Sequence, residues 1–239
     1  MLKTTASRLA SFAAGLALAA GTAGAIGAAT GATTTWRFRI IGCDGSPIRH
    51  FDRENTKLLH LIVVRTDLSG YQHLHPALGS DGTFTIELPA PRPGTYRAIA
   101  DFAIDGRKYV LGTNLTAPGP ARTIPLPPPA LDSHTDGYAV ELQRPAQLTA
   151  GQEAQLTFRV IRHGRPVTGL QPYLGSYGHL VALHSPELSY SHIHPNGEDL
   201  ASGAITFDTE LPKRGTYCLF LQFRAAGRVH TVAFTQTAS

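Results

Sequence analysis

The residues of this chain best suited to chemistry are two sets of histidines. His60 is followed, after twelve intervening residues, by His73-Leu74-His75-Pro76, and His179 is followed at the same spacing by His192-Ile193-His194-Pro195. Neutral imidazole is a ligand for Cu(II) and Zn(II), and three rings can share one ion at about 2.0–2.1 Å from each nitrogen. To meet, the three must sit on one face of a hairpin. Pairing His60 with His75 centres the loop between Asp67 and Leu68 and sets Val64 opposite Tyr71. Strand side chains alternate, so His60, Ile62 and Val64 share a face with Tyr71, His73 and His75 of the partner strand. Directly opposed Cβ atoms lie about 4.5–5.5 Å apart and diagonal ones about 7–8 Å. The same reasoning groups His179, His192 and His194. A slip of one residue would send the rings to opposite faces.

A lone His-x-His on a strand usually lies on a solvated face, and a half-apolar ring also serves in packing. Recurrence favours ligation here: the three positions repeat while the residues between them change, Leu68 becoming Glu187 and Arg65 becoming His184. The expected metal ligands are therefore His60, His73 and His75 in one copy and His179, His192 and His194 in the other. Met1 is the sole methionine, so a thioether site for Cu(I) has no donor, and two widely separated cysteines do not make a thiolate site. Cu(II) is the first expectation and Zn(II) the second. Three protein ligands leave a fourth position open. His184 is expected to face away from His179. His50, His134 and His163 lie near loops, and His230 falls in the last strand where the first copy has Tyr109. These read as surface or packing residues.

The histidine sets belong to a longer repeat. His179 follows His60 by 119 residues, as His192 follows His73. Upstream, Phe38-Arg39-Ile40-Ile41 with Gly45-Ser46-Pro47-Ile48 parallels Phe158-Arg159-Val160-Ile161 with Gly164-Arg165-Pro166-Val167. Downstream, Leu88-Pro89 and Gly94-Thr95-Tyr96 parallel Leu211-Pro212 and Gly215-Thr216-Tyr217. Short apolar or alternating runs recur between Gly, Pro, Asp and Ser, without helical spacing. Each Gly-Thr-Tyr resembles the tyrosine corner of Greek-key sandwiches, in which the phenol ties a loop to a strand. The expected fold is all-β: two tandem immunoglobulin-like sandwiches over residues 34–117 and 137–239, joined by a Pro-rich linker over 118–136. The second copy opens with a strand over Tyr138–Leu142 that the first copy lacks.

Lys3, Arg8, the apolar run Leu9–Ala20 and Ala23-Gly24-Ala25 read as a secretory signal peptide over residues 1–25, which implies a secreted, extracytoplasmic protein with no membrane span once it is removed. Charged residues make up 16% and the net charge is +4, with no Lys/Arg cluster, so nucleic acid is not an expected partner. The expected partners are a metal ion and, second, another extracytoplasmic protein. The sequence leaves Cys43 and Cys218 open between a disulfide and separate thiols.

The runs Leu59–Arg65 with Gln72–Pro76, and Gly178–Leu183 with His192–Pro195, resemble a group of secreted bacterial tandem β-sandwich proteins described as heavy-metal-associated. That group is similar in architecture to the CopC and YtkA-like sandwich proteins. The resemblance covers about residues 34–239 and implies handling of a metal, copper first, outside the cytoplasm. Copies of that group often carry a Met before the first His and another His upstream. Leu59 and Asn55 stand there in this chain, so the three-histidine set alone carries over.

The expected function is an extracytoplasmic metal-binding protein with a three-histidine cluster on a hairpin of each domain. The alternative is a non-metal extracellular interaction or adhesion module. A His-liganded metalloenzyme comes last, because the sequence has no nucleophile elbow, no suggestively spaced carboxylate pair and no Glu within a metal motif. No catalytic residue is expected.

Overall fold

The computed structural model describes residues 33–89, 91–193 and 195–239, and the expected signal peptide over residues 1–25 lies outside them, as does His194. Among the described residues the chain is all-β. The first seven strands are β1 (Thr33–Arg39), β2 (His60–Arg65), β3 (Gln72–Leu74), β4 (Ala77–Leu78), β5 (Thr83–Pro89), β6 (Gly94–Ile104) and β7 (Arg107–Ala117). Then come β8 (Asp132–Thr135), β9 (Tyr138–Gln143), β10 (Glu153–Arg162), β11 (Arg165–Pro166) and β12 (Leu170–Gln171). The last six are β13 (Gly178–Ser185), β14 (Tyr190–Ile193), β15 (Pro195–Asp199), β16 (Ala204–Glu210), β17 (Gly215–Ala225) and β18 (Arg228–Ala238).

These strands form two compact units, divided so that residues 65–70 group with the second. In the first unit the sheets run β1-β5-β4 and β3-β2-β6-β7. In the second they run β15-β16-β10-β9-β8 and β12-β17-β13-β14, with β11 on β10 and β18 on β17. Each unit is one immunoglobulin-like sandwich of a tandem pair, with its own core. Phe38, Leu61, Phe84, Tyr96 and Phe102 fill the first, and Phe158, Leu180, Phe207, Leu221 and Phe223 the second. The alternation of β6 makes this plain: Tyr96, Ala98, Ala100 and Phe102 are all buried, two residues apart.

The long hairpins β6–β7 and β17–β18 turn on Asp105-Gly106 and Ala226-Gly227, whose φ values of 49°, 73°, 49° and 76° match the twist of the flanking strands. Both tyrosine corners are present. The Tyr96 hydroxyl donates to the Arg92 carbonyl at 2.8 Å, and that of Tyr217 donates to the Lys213 carbonyl at 2.9 Å. Cys43 is exposed after β1, whereas Cys218 is buried in β17, and burial pushes its thiol up to about 12.

The sequence reading needs one correction here. Residues 132–135 fall in the stretch read as linker, yet they form β8, paired with β9 from Asp132 opposite Glu141 to Thr135 opposite Tyr138. The second sheet therefore starts before Tyr138, because the chain turns back at Asp136-Gly137, with φ values of 48° and 78°. Otherwise β1 corresponds to β10, β2 to β13, β3 to β14 and β5 to β16, with β6–β7 matching β17–β18, while the places of β11 and β12 are held in the first unit by the isolated bridges Ile41 to Pro47 and Asp52 to Ala103. Among the described residues, β8 and β9 have no counterpart in the first unit.

Candidate metal centre

β2 and β3 pair with Leu61 opposite Leu74, Ile62 opposite His73 and Val63 opposite Gln72. That register, continued by one residue, sets His60 opposite His75. β13 and β14 repeat it with Leu180 opposite Ile193 and Val181 opposite His192. The pairing is the one the His-to-His spacing predicts. In the first unit the short edge strand delivers His73, with His75 just beyond it, to the face that carries His60; in the second, β14 delivers His192 to the face that carries His179.

In the first unit the three rings meet. His60 Nδ1 lies 2.9 Å from His73 Nε2 and 3.2 Å from His75 Nε2. Ring centroids are separated by 5.1, 4.9 and 4.8 Å around the triangle. His60 is 1% exposed and His73 7%, with His75 half-buried, so this face is not a solvated one. Among the described residues, these are the histidines, cysteines or carboxylates that could hold a metal ion as a group of three, their ligand atoms all within 4.8 Å of one another.

A backbone carbonyl sets the tautomer of the first ring. His60 Nε2 lies 3.1 Å from the Glu54 carbonyl, which can only accept, so Nε2 carries the proton and the Nδ1 lone pair faces the other two rings. Glu54 opens a tight turn: its N–H donates to the Lys57 carbonyl at 2.8 Å and its carbonyl accepts the Lys57 N–H at 2.9 Å. The central residues Asn55 and Thr56 have φ values of 47° and 70°. The second unit repeats the device. His179 Nε2 donates to the Tyr173 carbonyl at 2.8 Å, in a turn through Leu174 and Gly175 at φ 54° and 84°. Sequence reasoning missed these two carbonyls, since a backbone acceptor leaves no mark in residue type. The faint signal was Gly175, a turn residue four positions before His179.

The separations fit a common ion. Ligands at about 2.0–2.1 Å from one metal lie about 2.9 Å apart at right angles and about 3.3 Å apart at tetrahedral angles. The two nitrogen–nitrogen distances of the first cluster fall in that interval. Without an ion, the single lone pair of His60 Nδ1 must be shared by two neighbours, and one N–H satisfies it. A cation accepts all three lone pairs together, and the carbonyl behind His60 orients the ligand as acceptors behind metal-bound histidines do.

In the second cluster two of the three rings are described. His179 and His192 have ring centroids 6.0 Å apart, wider than the 5.1 Å of His60 and His73, and His194 is outside the described residues. Tyr173 packs edge-on to His179 at 5.5 Å, where the first unit has Glu54. The remaining expectations for single histidines agree with packing roles. His184 donates to the Arg214 carbonyl at 3.0 Å and packs on Tyr217 at 4.8 Å, away from His179. His230 lies between Asp136 Oδ2 at 2.8 Å and the Ala225 carbonyl at 3.2 Å, stacked on Phe223.

The profile of a domain of unknown function (DUF8832) matches residues 20–119 and again residues 133–239. The chain belongs to the DUF8832 family. Two matches in one chain agree with the two units, and the second starts one residue into β8. No curated protein matches the DUF8832 chain. Solved structures with some likeness to it include invasin, a bacterial integrin-binding protein, at 11% identity and TM-score 0.27, covering 88% of this chain and 37% of that one. The Yersinia pseudotuberculosis adhesin InvE is 12% identical with TM-score 0.25, over 86% of this chain and 54% of that one. A DUF3823 family protein from Parabacteroides merdae is 11% identical with TM-score 0.27, over 87% and 98%. The chain spans little over a third of invasin and about half of InvE. At such TM-scores these likenesses carry no argument.

Proposed function

We propose that the first unit binds a transition-metal ion through His60 Nδ1, His73 Nε2 and His75 Nε2, outside the cytoplasm, as a metal buffer or carrier. Cu(II) is the leading ion and Zn(II) the second, since neutral imidazoles suit both and Cu(II) is generally held more tightly. The observation that carries the reading is the pair of nitrogen–nitrogen distances at a buried His60 whose Nε2 is already committed to a carbonyl. Three protein ligands leave room for a fourth donor, water or a group of a metal donor or acceptor protein. A second ion in the other unit would require His194 to join His179 and His192. Export rests on the leader-like pattern of residues 1–25.

Metal analysis of the purified mature protein after Cu(II) loading and desalting tests this. The expected result is at least one copper per chain, lost from the first unit in His73→Ala. Unchanged uptake and unchanged Cu(II) spectra in the double variant His73→Ala, His192→Ala would refute the reading. The second reading, a non-metal interaction module, draws on a different feature of the first unit, the sheet edge at β1, which has no further strand among the described residues.

A further inference from the structure

The two units differ most at one sheet edge. In the second unit β10 lies between β16 and β9, with Val160 opposite Val140, Phe158 opposite Leu142 and Arg159 opposite Glu141. In the first unit the corresponding strand, β1, has β5 on one side, and among the described residues no strand on the other. An edge of this kind presents a row of backbone donors and acceptors to any extended chain. The seven residues of β1 contain neither Pro nor Lys, the usual edge guards.

Among the described residues, the core behind that edge also has one aromatic side chain fewer. In the second unit Tyr138 of β9 packs edge-on to Phe223 at 5.5 Å and on His230 at 4.6 Å, and is itself 3% exposed. The first unit keeps the stacked pair as Phe102 and Tyr109, 5.7 Å apart, without the third ring. Beside that pair is a small apolar hollow walled by Ile40, Ile48, Phe102, Ile104, Tyr109 and Leu111. Burial records the same gap. Ala225, His230 and Val232 are buried, while their counterparts Ile104, Tyr109 and Leu111 are half-buried. Leu156 is fully buried, and its counterpart Trp36 is half-buried.

We infer that the β1 edge of the first unit is a docking site for an extended segment of another polypeptide, added antiparallel along Arg37 to Ile41. The strand that fills the equivalent place in the second unit, Tyr138-Ala139-Val140-Glu141-Leu142-Gln143, states the chemistry. The segment carries an aromatic residue for the hollow and aliphatic residues two and four positions later. Between them comes an acidic residue on the outer face, as Glu141 stands opposite Arg159. Arg39 occupies the Arg159 position but is paired with Asp81 at 2.7 Å, so the charge that the exposed face of β1 offers a partner is that of Arg37. That charge favours an acidic strand over a second copy of β1, which would bring its own arginines. Main-chain pairing supplies affinity in such additions, and the pocket for alternate side chains supplies selectivity.

Trp36, the sole tryptophan of the chain, lies in β1 and reports on the edge. The probe is a synthetic peptide of residues 136–145, titrated into the mature chain while Trp36 emission is followed. A saturable blue shift is expected, with binding about tenfold weaker or worse for the peptide carrying Tyr138→Ser. Weaker binding is also expected for the peptide carrying Glu141→Lys, and unchanged binding for the His73→Ala protein, so the result does not depend on the metal reading. Leu111→Asp, checked for folding by circular dichroism, should abolish uptake by placing charge in the hollow. Absence of a saturable change, or equal binding of the Tyr138→Ser peptide, overturns the inference. So does a chain already dimeric through β1, which would make a second copy the occupant.

Discussion

Metal binding at the first cluster should raise the unfolding temperature of that unit by an amount that can be worked out beforehand. An ion bound by the native state and not the unfolded one stabilises by about 2.7 kcal/mol when present at 100 times its dissociation constant. The first unit comprises about 85 described residues. A domain of that size gains roughly 4–8 °C per kcal/mol, so the shift is roughly 10–20 °C. A variant binding a hundredfold more weakly gains about 0.4 kcal/mol at the same metal concentration, a shift of only about 2–3 °C. His75→Ala is the cleanest perturbation. Its ring is half-buried, so truncation leaves a smaller void than at His60, and it removes the nitrogen 3.2 Å from His60 Nδ1. Calorimetry with Zn(II), then Cu(II), against a chelator control reads the shift, and Trp36 fluorescence assigns it to the first unit. Equal stabilisation of His75→Ala and the parent chain would refute the reasoning, because the ion would then sit elsewhere.

Three further outcomes follow from particular contacts. Tyr217→Phe should destabilise the second unit by about 1–3 kcal/mol in urea unfolding, since the hydroxyl both donates to the Lys213 carbonyl and accepts the Lys213 N–H. Asp81 is held well below the usual carboxylate range by the Thr83 hydroxyl and N–H and by Arg39. Its contribution is complete above the unfolded value near ~3.9 and is lost as pH falls through the lower folded value. Asp81→Asn should thus be less stable than the parent at pH 7 and converge with it in acid, as seen in denaturant titrations across pH. Thr56 is β-branched at φ 70°, where the second unit has Gly175. Thr56→Gly should stabilise the first unit by about 1 kcal/mol, strain relief exceeding the added backbone entropy, with Cu(II) uptake retained.

Much of the molecule was legible in its residues because period-two burial and a repeated His-to-His spacing are local properties of the chain. The all-β class, the doubling, the hairpin register and the face shared by His60, His73 and His75 all follow from alternation and from where Gly, Pro and Asp interrupt it. The tyrosine corners were readable for the same reason, since Gly-Thr-Tyr places the phenol one turn from its acceptor. β8 was not readable, because four polar residues after a proline run carry no apolar pattern, and their pairing depends on the turn at Asp136-Gly137.

What tertiary structure decided are matters of distance between groups far apart in sequence. The carbonyls of Glu54 and Tyr173 acquire a role because a turn brings them to a ring six residues on. Ring separations of 5.1 Å in one unit and 6.0 Å in the other separate two clusters with identical spacing. The hollow beside Phe102 and Tyr109 lies where, among the described residues, the first unit has no strand to match the one whose tyrosine packs there in its twin. Sequence periodicity specifies which face a side chain takes; how closely two faces approach, and what stands behind them, is set by the packing of the whole sandwich.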